Sequence, residues 1–243
     1  MIRTEPEVFI PWVLDPGYEP VAAHLLRIYF GAAGTGGPFT GALFQVIGGR
    51  GDADEWRDVV RAEDVLAVSA LSVNVPAPAS VALLGPKGAD VTALLSRIPV
   101  GVDLASDDAD VSADSPASKL WTVLRHEVGL GPTTTSKLMA RKRPQLIPIY
   151  DSVVGWVLGL KDSRGHWAGM REAVRANGGA LHHRAVGLQD VPGVGPEVSP
   201  LRVLDVVLWM HGMDPERSHV IAARESLPTP DGRARGPRPA RRQ

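Results

Sequence analysis

Apolar residues recur at three- and four-residue intervals along most of the chain, and Gly/Pro clusters cut that pattern into short lengths. In Glu19–Phe30, Val21, Leu25 and Ile28 fall with Ala22, Leu26 and Tyr29 on one helical face. Ala62–Val75, Ala89–Ile98, Ser118–Val128, Ser152–Leu160, Trp167–Ala176 and Leu201–His211 repeat the spacing, with breaks at 31–38, 48–51, 76–78, 85–88, 177–179 and 192–196. The strand candidates Leu71–Val75 and Ile98–Leu104 are short and interrupted by Pro or Gly. The expected class is all-α.

Composition narrows what such a chain can do. The 243 residues include no cysteine, which excludes disulfides, Cys-ligated zinc, iron–sulfur clusters and thiol nucleophiles. No run of 18 apolar residues occurs and Met1–Pro6 does not begin a signal peptide, so a soluble, cytoplasmic protein is expected. The formal charge of −1 conceals an asymmetry: residues 1–118 carry 7 basic and 16 acidic side chains, residues 119–243 carry 19 and 11. A basic half beside an acidic one fits a polyanion-binding face. Part of the excess lies in 228–243, with five Arg, four Pro and one Asp, expected to be a disordered basic tail. The acidic stretch Ser106–Asp114 reads as a solvated loop dividing an N-terminal helical half, 1–114, from a second half, 115–227.

Several motifs fail on inspection. Gly31–Gly37 has the glycines of a phosphate loop but no following Lys-Ser/Thr. His182 and His183 are adjacent and cannot share one helical face as metal ligands. No metal site and no cofactor is expected.

Gly129-Leu130-Gly131-Pro132 is different. A helix ends at Val128, the glycines make a tight turn, and Pro132 suits the first position of the next helix. Gly129 and Gly131 leave backbone N–H groups open to an anion at a helix N-terminus. Thr133, Thr134, Thr135 and Lys137 follow, then the basic end Arg141-Lys142-Arg143. An apolar run from Leu146 to Tyr150 leads to Asp151 at the head of another helix.

This stretch resembles the helix-hairpin-helix DNA glycosylase superfamily (HhH-GPD), with its Leu-Pro-Gly-Val-Gly-x-Lys/Gln-Thr-Ala hairpin and a Val-Asp-x-His helix start. The family's Asp lies eighteen residues beyond its Lys/Gln position; here that position is Thr133, and Asp151 matches. Lys137 to Asp151 also resembles an uncharacterised actinobacterial domain family. The departures are Glu127 and Val128 for Leu-Pro, Thr135 for Ala, Val153 for His, and Thr133 for the amine of bifunctional members. What the resemblance implies is an HhH-GPD-like fold with a divergent N-terminal half, acting as a monofunctional glycosylase without a lyase lysine. A rival hairpin, Val191-Pro192-Gly193-Val194-Gly195-Pro196, puts Pro215 where the Asp is required, and reads instead as a loop leading into the buried helix Leu201–His211.

The chemistry suits a lone carboxylate. Breaking an N-glycosidic bond builds positive charge on the sugar, which Asp151 would stabilise while orienting the attacking water. Asp also N-caps helices well, so capping Ser152–Leu160 is the competing role. The hairpin, Thr133 to Thr135, Lys137 and Arg141 to Arg143 would hold double-stranded DNA through its phosphates. Tyr150, Phe39 and Trp121 are the base-pocket candidates, because a flipped base needs aromatic stacking. The expectation is a monomer that leaves abasic sites by removing a modified base, with a tilt toward glucosylated hydroxymethylcytosine in anti-phage defence. The alternatives are a housekeeping alkyl-base glycosylase, a non-catalytic DNA-binding hairpin protein and a helical protein-interaction domain.

Overall fold

The computed structural model describes residues 8–31, 37 and 39–228. Among them are ten α-helices and no strand: α1 (Glu19–Phe30), α2 (Ala62–Ser69), α3 (Ala77–Leu84), α4 (Gly88–Leu95), α5 (Pro116–Thr122), α6 (Pro132–Lys142), α7 (Ser152–Val157), α8 (His166–Gly187), α9 (Pro200–Met213) and α10 (Pro215–Arg224). The all-α class follows from the spacing, and both strand candidates are turns and irregular chain. Residues 229–243 of the basic tail and 32–36 of the Gly-rich segment lie outside the described residues. No helix among the described residues is long and apolar enough to cross a membrane.

Two helices escape the spacing argument. α3 begins at Pro76-Ala77-Pro78, which reads as a breaker, yet proline is tolerated in a first helical turn where the N–H has no partner anyway. α10 starts on Pro215 and is capped by Asp214, whose Oδ1 accepts from the Arg217 N–H at 3.0 Å. α8 runs beyond the expected Ala176: the chain passes through left-handed Asn177, Gly178 and Gly179 (φ 52°, 67° and 80°), then resumes its helix. The rival hairpin is a loop, as its prolines require, and Ser199 caps α9 by accepting from Arg202 N–H.

α9 lies at the centre. Leu201, Val203, Leu204, Val206, Val207 and Leu208 are all buried, and the helix packs against α1, α7, α8 and α10. The core is one apolar cluster to which both halves contribute, from Val21, Leu25 and Phe44 to Leu124, Leu138 and Val207. Gly212 permits a close crossing: a Cβ there would lie 2.6 Å from Val153 Cγ1 and from Val157 Cγ2. That approach seats the start of α7 against α9, which brings Asp151 and α9 to one cavity.

Candidate active site

The site is built outward from the hairpin. α5 continues through a wide turn at Val123–Glu127, and Gly129, at φ +74°, reverses the chain in a conformation that a side chain would strain. Leu130 plugs into the core, and the Arg125 guanidinium donates to its carbonyl. Gly129 and Gly131 are exposed, and a Cβ on either would touch nothing within 4 Å. The hairpin backbone therefore faces open space at the N-terminus of α6.

The opposite face of α6 points inward. Ser136 binds both backbone groups of Tyr150: its Oγ accepts from the Tyr150 N–H at 3.0 Å and lies 3.0 Å from the Tyr150 carbonyl. This clamp fixes the chain just before Asp151. Asp151 Oδ1 then accepts from the Val153 and Val154 N–H groups at 2.8 and 2.9 Å, capping α7, while Oδ2 stands 3.9 Å from Lys137 Nζ. Capping therefore uses Oδ1 and leaves Oδ2 directed at Lys137.

Asp151 and Lys137 form one wall of a cavity of about 540 Å³. Thr133, Ile149, Ser152 and Val153 complete that wall. α9 supplies the facing wall through Arg202, Asp205, Val206, Trp209 and Met213, positions that share one helical face. The N-terminal half closes the rest with Tyr29, Phe39–Gly41 and Ala70–Val73. After α2 the chain turns through Ser72 at φ +59°, rare for a residue bearing a side chain, and the Leu71 carbonyl accepts from Lys137 Nζ at 2.9 Å.

The aromatic side of the cavity is ordered by ring packing. Phe39 stacks on Tyr29, centroids 5.1 Å apart and planes 7° from parallel, and Trp209 meets both edge-on. The polar side holds Arg202, which pairs with Asp205 and donates to Tyr29 Oη at 2.6 Å and the Gly41 carbonyl at 3.0 Å. Burial raises the Tyr29 phenol above its usual value. Burial also pushes the Asp205 carboxyl up to about 6, with Arg202 opposing the rise and Asp151 adding to it. The cavity thus combines an aromatic side with two acidic–basic side-chain pairs, Asp151–Lys137 and Asp205–Arg202, an arrangement suited to a planar, polar-edged ring.

Several sequence expectations are corrected here. Lys137, expected outside as a phosphate contact, is buried inside the cavity wall. Arg141, Lys142 and Arg143, expected to add affinity for DNA, are 0%, 1% and 2% exposed and point into the protein. Arg141 donates to the carbonyls of Phe44 (2.6 Å), Ile47 (2.7 Å) and Gly49; Lys142 donates to those of Trp56 (2.7 Å) and Val59 (2.9 Å). Both pair with buried Asp64, and Arg143 pairs with Asp58 at 2.6 Å. The 44–59 segment has few regular hydrogen bonds of its own, and these three cations satisfy its carbonyls, as buried polar groups require. Gly51 lies against Arg141, so the 48–51 loop belongs to this clasp. Burial lowers the pKa of Arg141 and Lys142, an effect that Asp64 opposes.

Thr134 and Thr135 are likewise buried, at 9% and 0% exposed. Thr133 is half-buried and lines the cavity. Of the three aromatic candidates, Phe39 lines the cavity. Tyr150 packs on His166, centroids 5.4 Å apart, and Trp121 on Trp167 at 5.5 Å, both away from it.

Tyr29, Arg202, Asp205 and Trp209 line the cavity without being singled out by the sequence. A signal was present: Arg202 and Asp205, three apart in an otherwise apolar helix, are charges placed where water is excluded. No cluster of His, Cys, Asp or Glu suited to a metal occurs among the described residues.

The comparisons with known proteins add a family. The chain belongs to a family of unknown function (DUF6308), whose model matches residues 22–212, a span that includes every charged residue lining the cavity. No curated protein and no solved structure matches it.

Proposed function

We propose that this member of the DUF6308 family is a monofunctional DNA glycosylase, hydrolysing the N-glycosidic bond of a modified base flipped into the Asp151 cavity. The observation that carries the reading is the sharing of one cavity by the Asp151 carboxylate and the Phe39–Tyr29–Trp209 aromatic group, beside a helix that opens on an exposed glycine hairpin. The eighteen-residue spacing from Thr133 to Asp151, and the likeness of the hairpin to that of the HhH-GPD enzymes, support the same reading.

In this mechanism the Gly129–Gly131 backbone and the α6 N-terminus hold a phosphate of the duplex. The base packs against the Phe39–Tyr29–Trp209 aromatic group. Asp151 Oδ2 lies beside the sugar, stabilises the positive charge that grows at C1′ and takes a proton from the attacking water. The protein acts as a monomer on double-stranded DNA and requires no cofactor. A cavity in the size range that takes a drug-sized molecule leaves room for a base with a bulky substituent, which favours glucosylated hydroxymethylcytosine and a role in anti-phage defence over an unadorned alkylated base. Burial of Arg141 to Arg143 weighs against a purely electrostatic DNA-binding module, since the densest basic run adds nothing to the surface.

The test is incubation with unmodified, alkylated, oxoguanine-containing and glucosylated phage DNA, followed by alkaline cleavage. Strand breaks in the glucosylated genome, absent with Asp151→Asn, are the expected result. Breaks confined to alkylated or oxoguanine DNA would move the substrate to repair, and no breaks in any DNA would overturn the glycosylase reading.

A further inference from the structure

We propose that Asp205 is the acid partner of Asp151, delivering a proton to the base as it departs; the inference rests on the glycosylase reading above. Asp205 and Arg202 interrupt a helix whose neighbouring residues, Leu201, Val203, Leu204 and Val206, are core. Stripping two charges of water is costly, and an apolar pair of similar volume would hold such a helix in place as well or better. Arg202 has structural bonds to Tyr29 and the Gly41 carbonyl, but Asp205 bonds Arg202 alone among the described residues and lines the cavity, and a desolvated carboxyl at a cavity wall is what proton transfer requires.

The geometry separates the roles of the two carboxyls. Asp151 Oδ1 is tied to two backbone N–H groups, and its Oδ2 is directed at Lys137. Among the described residues the hydrogen-bonding partner of Asp205 is Arg202, which takes Oδ2 and is itself held by Tyr29 and Gly41. Oδ1 accepts no hydrogen bond among the described residues, and the side chain lines the cavity. The charged and titratable groups facing it are Arg202 from its own helix, Tyr29 from α1, Lys137 from α6 and Asp151 at the head of α7. Desolvation dominates this set and lifts the Asp205 carboxyl to about 6, so it still carries a proton at mildly acidic pH. Paired carboxyls held in unlike environments divide into base and acid in this way.

The step balances. The C1′–N bond breaks and its electron pair passes to the ring, where a ring nitrogen or a conjugated oxygen takes the proton from Asp205. Water adds to C1′ and gives its proton to Asp151. Asp205 is left as a carboxylate beside Arg202, and solvent exchange returns both groups to their starting states.

The test is the single-turnover rate of abasic-site formation between pH 5 and 8, on whichever neutral modified base the DNA panel shows to be cleaved. For the unaltered protein the rate falls above about pH 6, approaching tenfold per pH unit. Asp205→Asn lowers the rate at pH 5 about 100-fold and is flat from pH 6 to 8; Asp205→Glu restores the decline. An unaltered-protein rate that does not fall between pH 6 and 8 overturns the proposal without any variant, so a poorly folding substitution does not shield it. Abasic sites with a flat profile refute this inference and leave the glycosylase reading intact; absence of abasic sites in every DNA refutes both.

Discussion

Lys137 Nζ lies 3.9 Å from Asp151 Oδ2, and the two side chains are 5% and 14% exposed. The lysine also donates to the Leu71 carbonyl at 2.9 Å, so a single ammonium joins the hairpin helix, the head of α7 and the turn after α2. Three parts of the cavity lining, one of them from the N-terminal half, thus meet at one cation.

Asp151→Asn separates capping from chemistry. Asn caps a helix about as well as Asp, so the melting free energy should change by no more than about 1 kcal/mol, while removal of the charge should cut abasic-site formation by about 10²–10⁴-fold. Asp151→Ala should lose about 1 kcal/mol more, through the cap. Urea denaturation beside alkaline strand cleavage measures both. An Asn variant that cleaves at the normal rate would remove Asp151 from the mechanism.

The basic clasp should behave as structure. Asp64→Asn leaves Arg141 and Lys142 without their shared counter-charge and should cost about 3–5 kcal/mol, visible as a lower urea midpoint. Arg143→Gln should destabilise too, yet leave the slope of log DNA affinity against log salt unchanged, since a buried guanidinium neutralises no phosphate. A slope reduced by about 0.9 would mean that Arg143 contacts DNA after all.

Gly41 should tolerate no side chain. A Cβ there would lie 2.0 Å from Tyr29 Oη and 2.8 Å from Leu71 Cδ2. Gly41→Ala must push Tyr29 off Arg202 and disturb the Phe39 stack, so excision should fall at least tenfold, with a stability loss of about 1–3 kcal/mol from overpacking. Unchanged activity in a normally folded Ala variant would show that the Tyr29–Arg202 contact does not shape the site.

Stability should rise with pH between 4 and 6. Burial lowers His166 and His211 to about 4, so each contributes stability that is present above 6.5 and lost as pH falls toward 4. Asp205, raised to about 6 by burial, works in the opposite sense: its contribution is present below 3.8 and lost as pH rises through 6. Across this window the unfolded chain binds two histidine protons that the fold excludes, and the fold keeps one carboxyl proton that the unfolded chain releases. The net of one proton gives a slope of about 1.4 kcal/mol per pH unit. Asp205→Asn should steepen it to about 2.7. Urea midpoints at pH 4.5, 5.5 and 6.5 measure the slope, and an equal slope in the variant would show that Asp205 titrates normally.

By itself the sequence determined the helices with strong periodicity, α1 and α9 most clearly, because a three-to-four-residue apolar repeat can be buried only as a helix face. It also placed the glycine hairpin and Asp151 at a helix head, since positive φ and N-capping select residue types locally. α3 was hidden by prolines that are harmless at a helix start. Only the tertiary structure decided which cations face solvent: Arg141-Lys142-Arg143 reads as a surface run, but the 44–59 segment packs over it and needs donors for its carbonyls. The same holds for the cavity, whose walls come from α1, the turn after α2, α6, α7 and α9. Spacing along a chain reports the face of one helix. It does not report which faces of different helices meet, because that depends on close approaches such as the one Gly212 allows.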